Sequence, residues 1–284
     1  MTAYAEKQTA ITGIGQSKIS RGADKSALGL TIDAALGAIA DAGLTRAHID
    51  GRATWPGDRA DGSGFSDVGI PALQDALRLK LGWYSNAAET SGQFGALFNA
   101  IGAIASGLCR HILIFRTMYE ATARKAGFAN ALNRPGDRVR GPFAWYAPYH
   151  TYAAATQQAL MFQRYVHESG IKPAQVAQIA INGRRNASRN PAAIYRTPID
   201  MDDYFASPII STPLRLFDCD VPIDGSTAII LSHIDAARDG PHPVTHIEAI
   251  GSSMQYRNSW TQLDALATQA QLKVAEIPFH AQRL

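Results

Sequence analysis

The chain has 284 residues, 46% hydrophobic and 18% charged, with a formal net charge of +3 and 2 cysteines. That length suits one large domain or two smaller ones and buries a core without disulfides or a structural metal. The small positive excess is spread along the chain and speaks against nucleic acid as a partner, and Cys109 and Cys219 form neither a metal pattern nor a disulfide framework.

Met1 to Lys7 is polar and lacks the apolar core of a signal peptide. Longer apolar stretches are broken by Gly, Asn or Arg, so no membrane span is expected and the cytoplasm is the expected location. Thr9–Ile14 reads as a buried strand ending in Gly13 and Gly15. Gly13-Ile-Gly15 lacks the third glycine of a dinucleotide fingerprint. Ser26 to Ala42 reads as a helix, capped by Ser26 and closed by Gly43, with Leu28, Ile32, Ala35, Leu36 and Ile39 as its apolar stripe. Arg52–Trp55 reads as a strand, Asp58–Ser66 as a loop and Val68–Leu81 as a helix. Phe94, Leu97, Phe98, Ile101, Ile104 and Ala105 form a helical stripe that ends at Gly107, and the strand His111–Arg116 follows. Strand, helix and strand at this spacing predict βαβ units and a mainly parallel sheet.

Thr117–Thr151 breaks the rhythm with Asn133-Arg134-Pro135-Gly136, Gly141-Pro142 and the aromatic residues Phe143, Trp145, Tyr146 and Tyr149. So long an irregular insertion points to function rather than to a plain connector. Helices are predicted over Ala153–Glu168 and Pro173–Ser188, then loop to Asp224-Gly225, then strands over Ser226–Ser232 and Val244–Ile250. Thr261–Ala275 carries a helical pattern.

Three stretches in order resemble the thiolase superfamily, in its branch of sterol-carrier-protein-associated thiolases, or lipid-transfer proteins. The first is Ala10-Ile-Thr-Gly-Ile-Gly-Gln with Asp41-Ala-Gly-Leu44 and Ile49-Asp50, and the second is Ala105-Ser-Gly-Leu-Cys-Arg-His-Ile-Leu-Ile114. The third runs from Arg164-Tyr-Val-His-Glu-Ser-Gly170 through Asn186-Ala-Ser-Arg-Asn-Pro191 and Ala206-Ser-Pro208 to Pro213-Leu-Arg-Leu-Phe-Asp-Cys-Asp-Val-Pro-Ile-Asp-Gly-Ser-Thr-Ala228. The resemblance implies an α/β fold of thiolase-like αβαβα layers. Residues 1–116 and 219–240 would form the N-terminal half, 117–218 an inserted loop domain and 241–284 the start of an incomplete C-terminal half. Leu266–Leu284 does not look like the family's continuation, as a truncation, a divergent short form or a reading-frame change would leave it.

The resemblance also implies acyl-CoA or steroid CoA thioesters as substrates, acyl transfer or retro-aldol cleavage as chemistry, no bound cofactor, a homodimer and an OB-fold or zinc-ribbon partner. In condensing thiolases a cysteine sits on a sharp turn before a buried helix, where the helix end favours its thiolate. The corresponding turn here, Ala87-Ala-Glu-Thr-Ser-Gly-Gln-Phe94, has no cysteine. Ser91 is the nucleophile candidate on that turn, with no base that can be named for it, and helix capping is the plain use of Glu89–Ser91. Glu89, Thr90, Ser91 and Gly92 are expected to shape the substrate pocket, with Tyr149 and His150 from the aromatic insertion bordering it. The tyrosines used by cysteine-free lyases of this family belong to its C-terminal half and have no counterpart here. Cys109 and Cys219 are expected to be structural. Arg184, Arg185 and Arg189 either meet CoA phosphates or form a solvated face. His242-Pro-Val-Thr-His246 has a helical metal spacing, but Pro243 and the strand reading separate the rings, so no metal is expected.

A non-catalytic scaffold or lipid-binding subunit is the alternative that the missing cysteine keeps open.

Overall fold

The computed structural model describes residues 4–58, 63–87, 90–127, 143–149, 151 and 153–254. In chain order these hold β1 (Thr9–Gln16), α1 (Ala27–Asp41), β2 (Gly51–Thr54), α2 (Ile70–Leu77), β3 (Trp83–Asn86), α3 (Gln93–Ala105), β4 (His111–Tyr119) and α4 (Glu120–Lys125). Next come α5 (Phe143–Tyr146), α6 (Ala154–Ser169), α7 (Pro173–Arg189), α8 (Met201–Ala206), β5 (Ile209–Ser211) and β6 (Leu214–Arg215). The last are β7 (Asp224–His233), α9 (Ile234–Ala237) and β8 (Thr245–His246). The chain divides into two compact units, Met1–Ala129 with Pro222–Ser252 and Val274–Leu284, and Asn130–Val221 with Ser253–Lys273.

The first unit is built on a six-stranded sheet of order β3-β2-β4-β7-β1-β8. β2 pairs in parallel with β3 and β4, whereas β7 runs antiparallel to both β4 and β1, and β8 antiparallel to β1. The sheet is therefore mixed, not mainly parallel as the spacing predicts. Tyr119, the last residue of β4, pairs with Asp224, the first of β7. The chain leaves and re-enters the sheet at one end, and a return at the same end makes the pair antiparallel however long the excursion.

α1 lies on β1 at a distance that only glycine permits. A Cβ on Gly13 would sit 2.3 Å from the Ala38 carbonyl oxygen, and one on Gly15 would sit 2.1 Å from that of Ala34. The helix accordingly buries small residues, Ala27, Ala34, Ala35 and Ala38, with Leu30, Thr31 and Ile39. This corrects the predicted stripe: Leu36 is 41% exposed and Leu28 and Ile32 are only partly buried. The core on this side continues through Leu73, Leu113, Phe115 and Ile230. On the opposite face α3 packs Ala96, Ala100, Ile101, Ala103 and Ile104 against Ile112, Ile114 and Leu231. Phe94, predicted to lead that stripe, is 68% exposed.

Helix boundaries follow the predicted signals. Ser26 Oγ accepts from the Gly29 N–H at 3.1 Å and starts α1. Gly43 (φ +68°) and Gly107 (φ +74°) follow α1 and α3, and the next N–H in each case, Leu44 and Leu108, donates five residues back at 3.0 Å. α2 stops at Leu77, short of the predicted Leu81, because Arg78 turns left-handed (φ 52°). That leaves room for β3, a strand the sequence pattern does not reveal.

In the second unit α6 and α7 fall where predicted, and α6 ends at Gly170 in the left-handed region. α8 and the β5–β6 hairpin occupy a stretch that reads as loop. Tyr204 of α8, 2% exposed, donates to both carboxylate oxygens of Asp218 at 2.9 and 2.8 Å. Among the described residues no helix is long and apolar enough to cross a membrane. The predicted helix Thr261–Ala275 lies outside the described residues.

Candidate functional site

The turn ahead of α3 follows β3 and is tied to the carboxyl end of β2, where the Ala87 N–H donates to the Thr54 carbonyl at 3.0 Å. Thr90 folds back over it, its hydroxyl donating to the Ala87 carbonyl at 2.8 Å. The Gly92 N–H donates to the Thr90 carbonyl at 2.7 Å, and Gly92 adopts φ 63°, a conformation that disfavours a side chain. Gly95, in the first turn of α3, completes the fit: a Cβ there would lie 1.8 Å from Thr90 Oγ1. Thr90, Ser91, Gly92 and Gly95 thus form one closed unit. Glu89 lies outside the described residues.

Ser91 is exposed, and its hydroxyl bonds to that of Ser252. That partner is another hydroxyl, which cannot take a proton at neutral pH, so the pair lacks the base that activates a serine nucleophile. What the turn does supply is hydroxyls beside a helix N-terminus, whose first N–H groups have no acceptor within the helix and favour a developing negative charge. The Ser252 contact comes from a part of the chain 161 residues away, and no local sequence signal marks it.

A cavity of about 210 Å³ adjoins this turn. Gln93 and Phe94, the first residues of α3, line it together with Trp55, Leu97, Ile114 and Ile229. Arg116 also contributes, its guanidinium laid over the rings of Trp55 at 5.0 Å and Phe65 at 4.4 Å. Its Nη1 donates to the Trp55 carbonyl at 2.9 Å. Sequence periodicity does not find this cavity, because it is formed by the start of α3 across β4 and β7, with Trp55 just beyond β2.

The remaining candidates are placed as follows. Tyr149 belongs to the second unit and is 77% exposed, and His150 lies outside the described residues. Cys109 is 8% exposed, and burial, helped by the Asp50 carboxylate, pushes its thiol up to about 12. Burial and the charges of Asp218 and Asp220 push the Cys219 thiol up as well. Neither is a thiolate near neutral pH, as nucleophilic use requires. Arg184 stacks over Tyr195 at 4.8 Å and Phe217 at 5.1 Å. His242 Nε2 pairs with Asp41 Oδ1 at 3.0 Å, while His246 sits on β8.

No protein-family model matches the chain. It is 31% identical over 239 residues to a steroid side-chain-cleaving aldolase from Thermomonospora curvata, an alignment that covers 82% of this chain and 59% of the relative. It is 30% identical over 245 residues to the 17-hydroxy-3-oxo-4-pregnene-20-carboxyl-CoA lyase of Mycobacterium tuberculosis, covering 85% of this chain and 62% of that one. The chain thus spans about three-fifths of the length of these curated relatives. Among solved structures, the Ltp2-ChsH2(DUF35) aldolase superposes with a TM-score of 0.80 at 27% identity, over 98% of this chain and 70% of that one. The mixed sheet between helical layers is a thiolase-like fold, and the chain is similar to SCP2-thiolase-like proteins.

Proposed function

We propose that this protein handles acyl-CoA thioesters, steroid or other lipid acyl groups among them, and takes part in retro-aldol carbon–carbon cleavage rather than cysteine-mediated acyl transfer. The observation that carries this reading is the turn before α3. It keeps the glycine-locked shape of a nucleophile turn and the helix N-terminus behind it, but has no cysteine and no activated serine. Retro-aldol cleavage of a β-hydroxy thioester needs no covalent nucleophile. A base removes the hydroxyl proton, the Cα–Cβ bond breaks, a carbonyl forms at Cβ and the electron pair moves onto the thioester enolate. Hydrogen-bond donors at a helix end stabilise such an oxyanion. The names of the two curated relatives, a side-chain-cleaving aldolase and a CoA lyase, support this choice of chemistry.

In this reading the protein is a cytoplasmic homodimer working with an OB-fold or zinc-ribbon subunit. The name of the Ltp2-ChsH2(DUF35) aldolase, a two-component assembly, supports the partner. Thr90, Ser91 and Gly92 shape the thioester end of the pocket in this reading. The test is to incubate the purified chain, alone and with such a partner, with a β-hydroxyacyl-CoA and to look for the shortened CoA thioester and the released aldehyde, or ketone where the β-carbon is tertiary. Product in either case supports the reading.

A second reading, a non-catalytic scaffold or acyl-CoA-binding subunit, is favoured by the absence of a cysteine from the turn before α3. Binding of CoA thioesters without product under both conditions selects it.

A further inference from the structure

Arg52, the second residue of β2, has no exposed surface. Its Nη1 donates to the Ile70 carbonyl at 2.9 Å, and its guanidinium carbon lies 5.1 Å from the centre of the Phe115 ring. Nε and Nη2 are closed to solvent and have no hydrogen-bond partner. Burial alone pulls the pKa of this side chain down to about 10, with no contribution from a neighbouring charge. Asp58 runs past Gly69 nearby, yet neither it nor any other carboxylate among the described residues bonds to Arg52. A cation placed in this way gives up its hydration for one carbonyl and one ring face. Buried charges are ordinarily paired, because an unpaired one is among the costliest groups that a core can hold. Buried polar atoms left without a partner in a native fold mark a bound ion or a functional role.

The surroundings supply more positive potential. β2, the loop after it, α2 and β3 form a parallel βαβ unit, with Arg52 close to the carboxyl end of β2. The bond to Ile70, the first residue of α2, sets the guanidinium beside the first turn of that helix. α2 starts without a side-chain cap and has no acidic residue in its first turn. Its first N–H groups have no acceptor within the helix and carry the positive end of its dipole. A helix N-terminus that follows the carboxyl end of a parallel strand is where α/β proteins hold anions. Here a full, uncompensated charge stands beside it. Arg52 shares its face of the sheet with Phe115 and the α1-side core, whereas its neighbour Ala53 faces α3. The place is therefore separate from the turn before α3, and nothing argued for it rests on the acyl-CoA reading.

We propose that Arg52 and the first turn of α2 hold one small monovalent anion, of halide size, enclosed between β2 and the start of α2. One guanidinium charge closed to solvent suits a ligand that is small and carries one negative charge. Its uptake requires the chain ahead of α2 to give way around it, since Nε and Nη2 are covered.

Thermal unfolding of the full chain in sodium chloride and in sodium gluconate, at equal pH and ionic strength, tests this. Chloride has the size for the site, and gluconate is too bulky to be enclosed with the guanidinium. Arg52→Met keeps the reach of the side chain without its charge or donors. General salt effects act on both proteins alike, so the readout is the melting temperature in chloride minus that in gluconate, compared between the two. A ligand that binds only the folded state raises the melting point, and this difference is expected to be larger in the wild-type chain by about 2 °C or more at saturating chloride. The same difference in both proteins overturns the proposal and leaves Arg52 a bare buried charge. If Arg52→Met does not fold, crystals of the wild-type chain soaked in sodium bromide decide the matter. Bromide in contact with Arg52 Nε or Nη2, located by its anomalous scattering, is the expected result, and its absence there overturns the proposal.

Discussion

Asp224 has no exposed surface, yet its carboxylate accepts three hydrogen bonds, from the Ala23 N–H at 2.9 Å and from the N–H and hydroxyl of Thr122 at 3.0 and 2.7 Å. It stands where the chain re-enters the sheet, so one side chain fixes β7 to the start of α4 and to the loop before α1. Asp224→Ala takes the carboxylate acceptor from three half-buried donors and is expected to cost about 1–3 kcal/mol, read from the urea midpoint. His111 sets a pH limit at another buried hydroxyl. Its Nδ1 lies 2.9 Å from Ser232 Oγ, which in turn lies 2.7 Å from Thr12 Oγ1. Burial lowers its pKa below 6.5, an effect that the Asp50 carboxylate opposes and the charges of Arg110 and His48 reinforce. The folded state thus favours the neutral ring. The stability this gives is complete above pH 6.5 and is lost as pH falls through the lowered folded value. His111→Gln is expected to flatten the acid side of the stability profile below pH 6.5, measured by denaturant unfolding at each pH. A parallel slope in both proteins contradicts that assignment.

The two helices that sandwich the first-unit sheet obey a rule that hydrophobic periodicity does not express. A glycine-bearing strand selects small residues from the helix above it, so α1 turns Ala34 and Ala38 inward and leaves Leu36 outside. Ala38→Leu is expected to destabilise by about 1–3 kcal/mol through overpacking, and Leu36→Gln to change stability by less than about 0.5 kcal/mol. Thermal melts of the two variants test this directly, and the periodic stripe alone predicts the reverse order. Much of this level was legible in the sequence: β1, α1, β4, α6 and α7 sit within a few residues of their predicted bounds, and Ser26, Gly43 and Gly107 mark helix ends as expected. The misses have physical causes. β3, Trp83–Asn86, alternates exposed and half-buried residues over four positions, too few to show a period. The predicted strand Val244–Ile250 shortens to a two-residue ladder at Thr245–His246. The antiparallel entry of β7 depends on where a chain of about a hundred residues returns, a long-range property that no local pattern encodes. At the site, the turn and its missing cysteine were legible, but the Ser91–Ser252 pair, the fit of Gly95 under Thr90 and the cavity arise only from tertiary contacts.

For the molecule as a whole, the thiolase-like frame is intact through the first-unit sheet and its helices, and the relatives that it matches at 30% and 31% identity are, by name, a lyase and an aldolase. Among the described residues of the turn before α3, Thr90, Gly92 and Gly95 close the backbone and the Ser91 hydroxyl meets another hydroxyl rather than a base. The two thiols of the chain lie elsewhere, and both are held protonated by burial and neighbouring carboxylates. The proposed function requires that CoA thioesters be bound and processed here without an acyl-enzyme. Intact-protein mass spectrometry of the chain after incubation with saturating octanoyl-CoA and with a β-hydroxyacyl-CoA measures this directly. The account predicts an unmodified protein mass together with saturable binding of the thioester. An acyl adduct on Ser91, Cys109 or Cys219, or the absence of any binding, would contradict it.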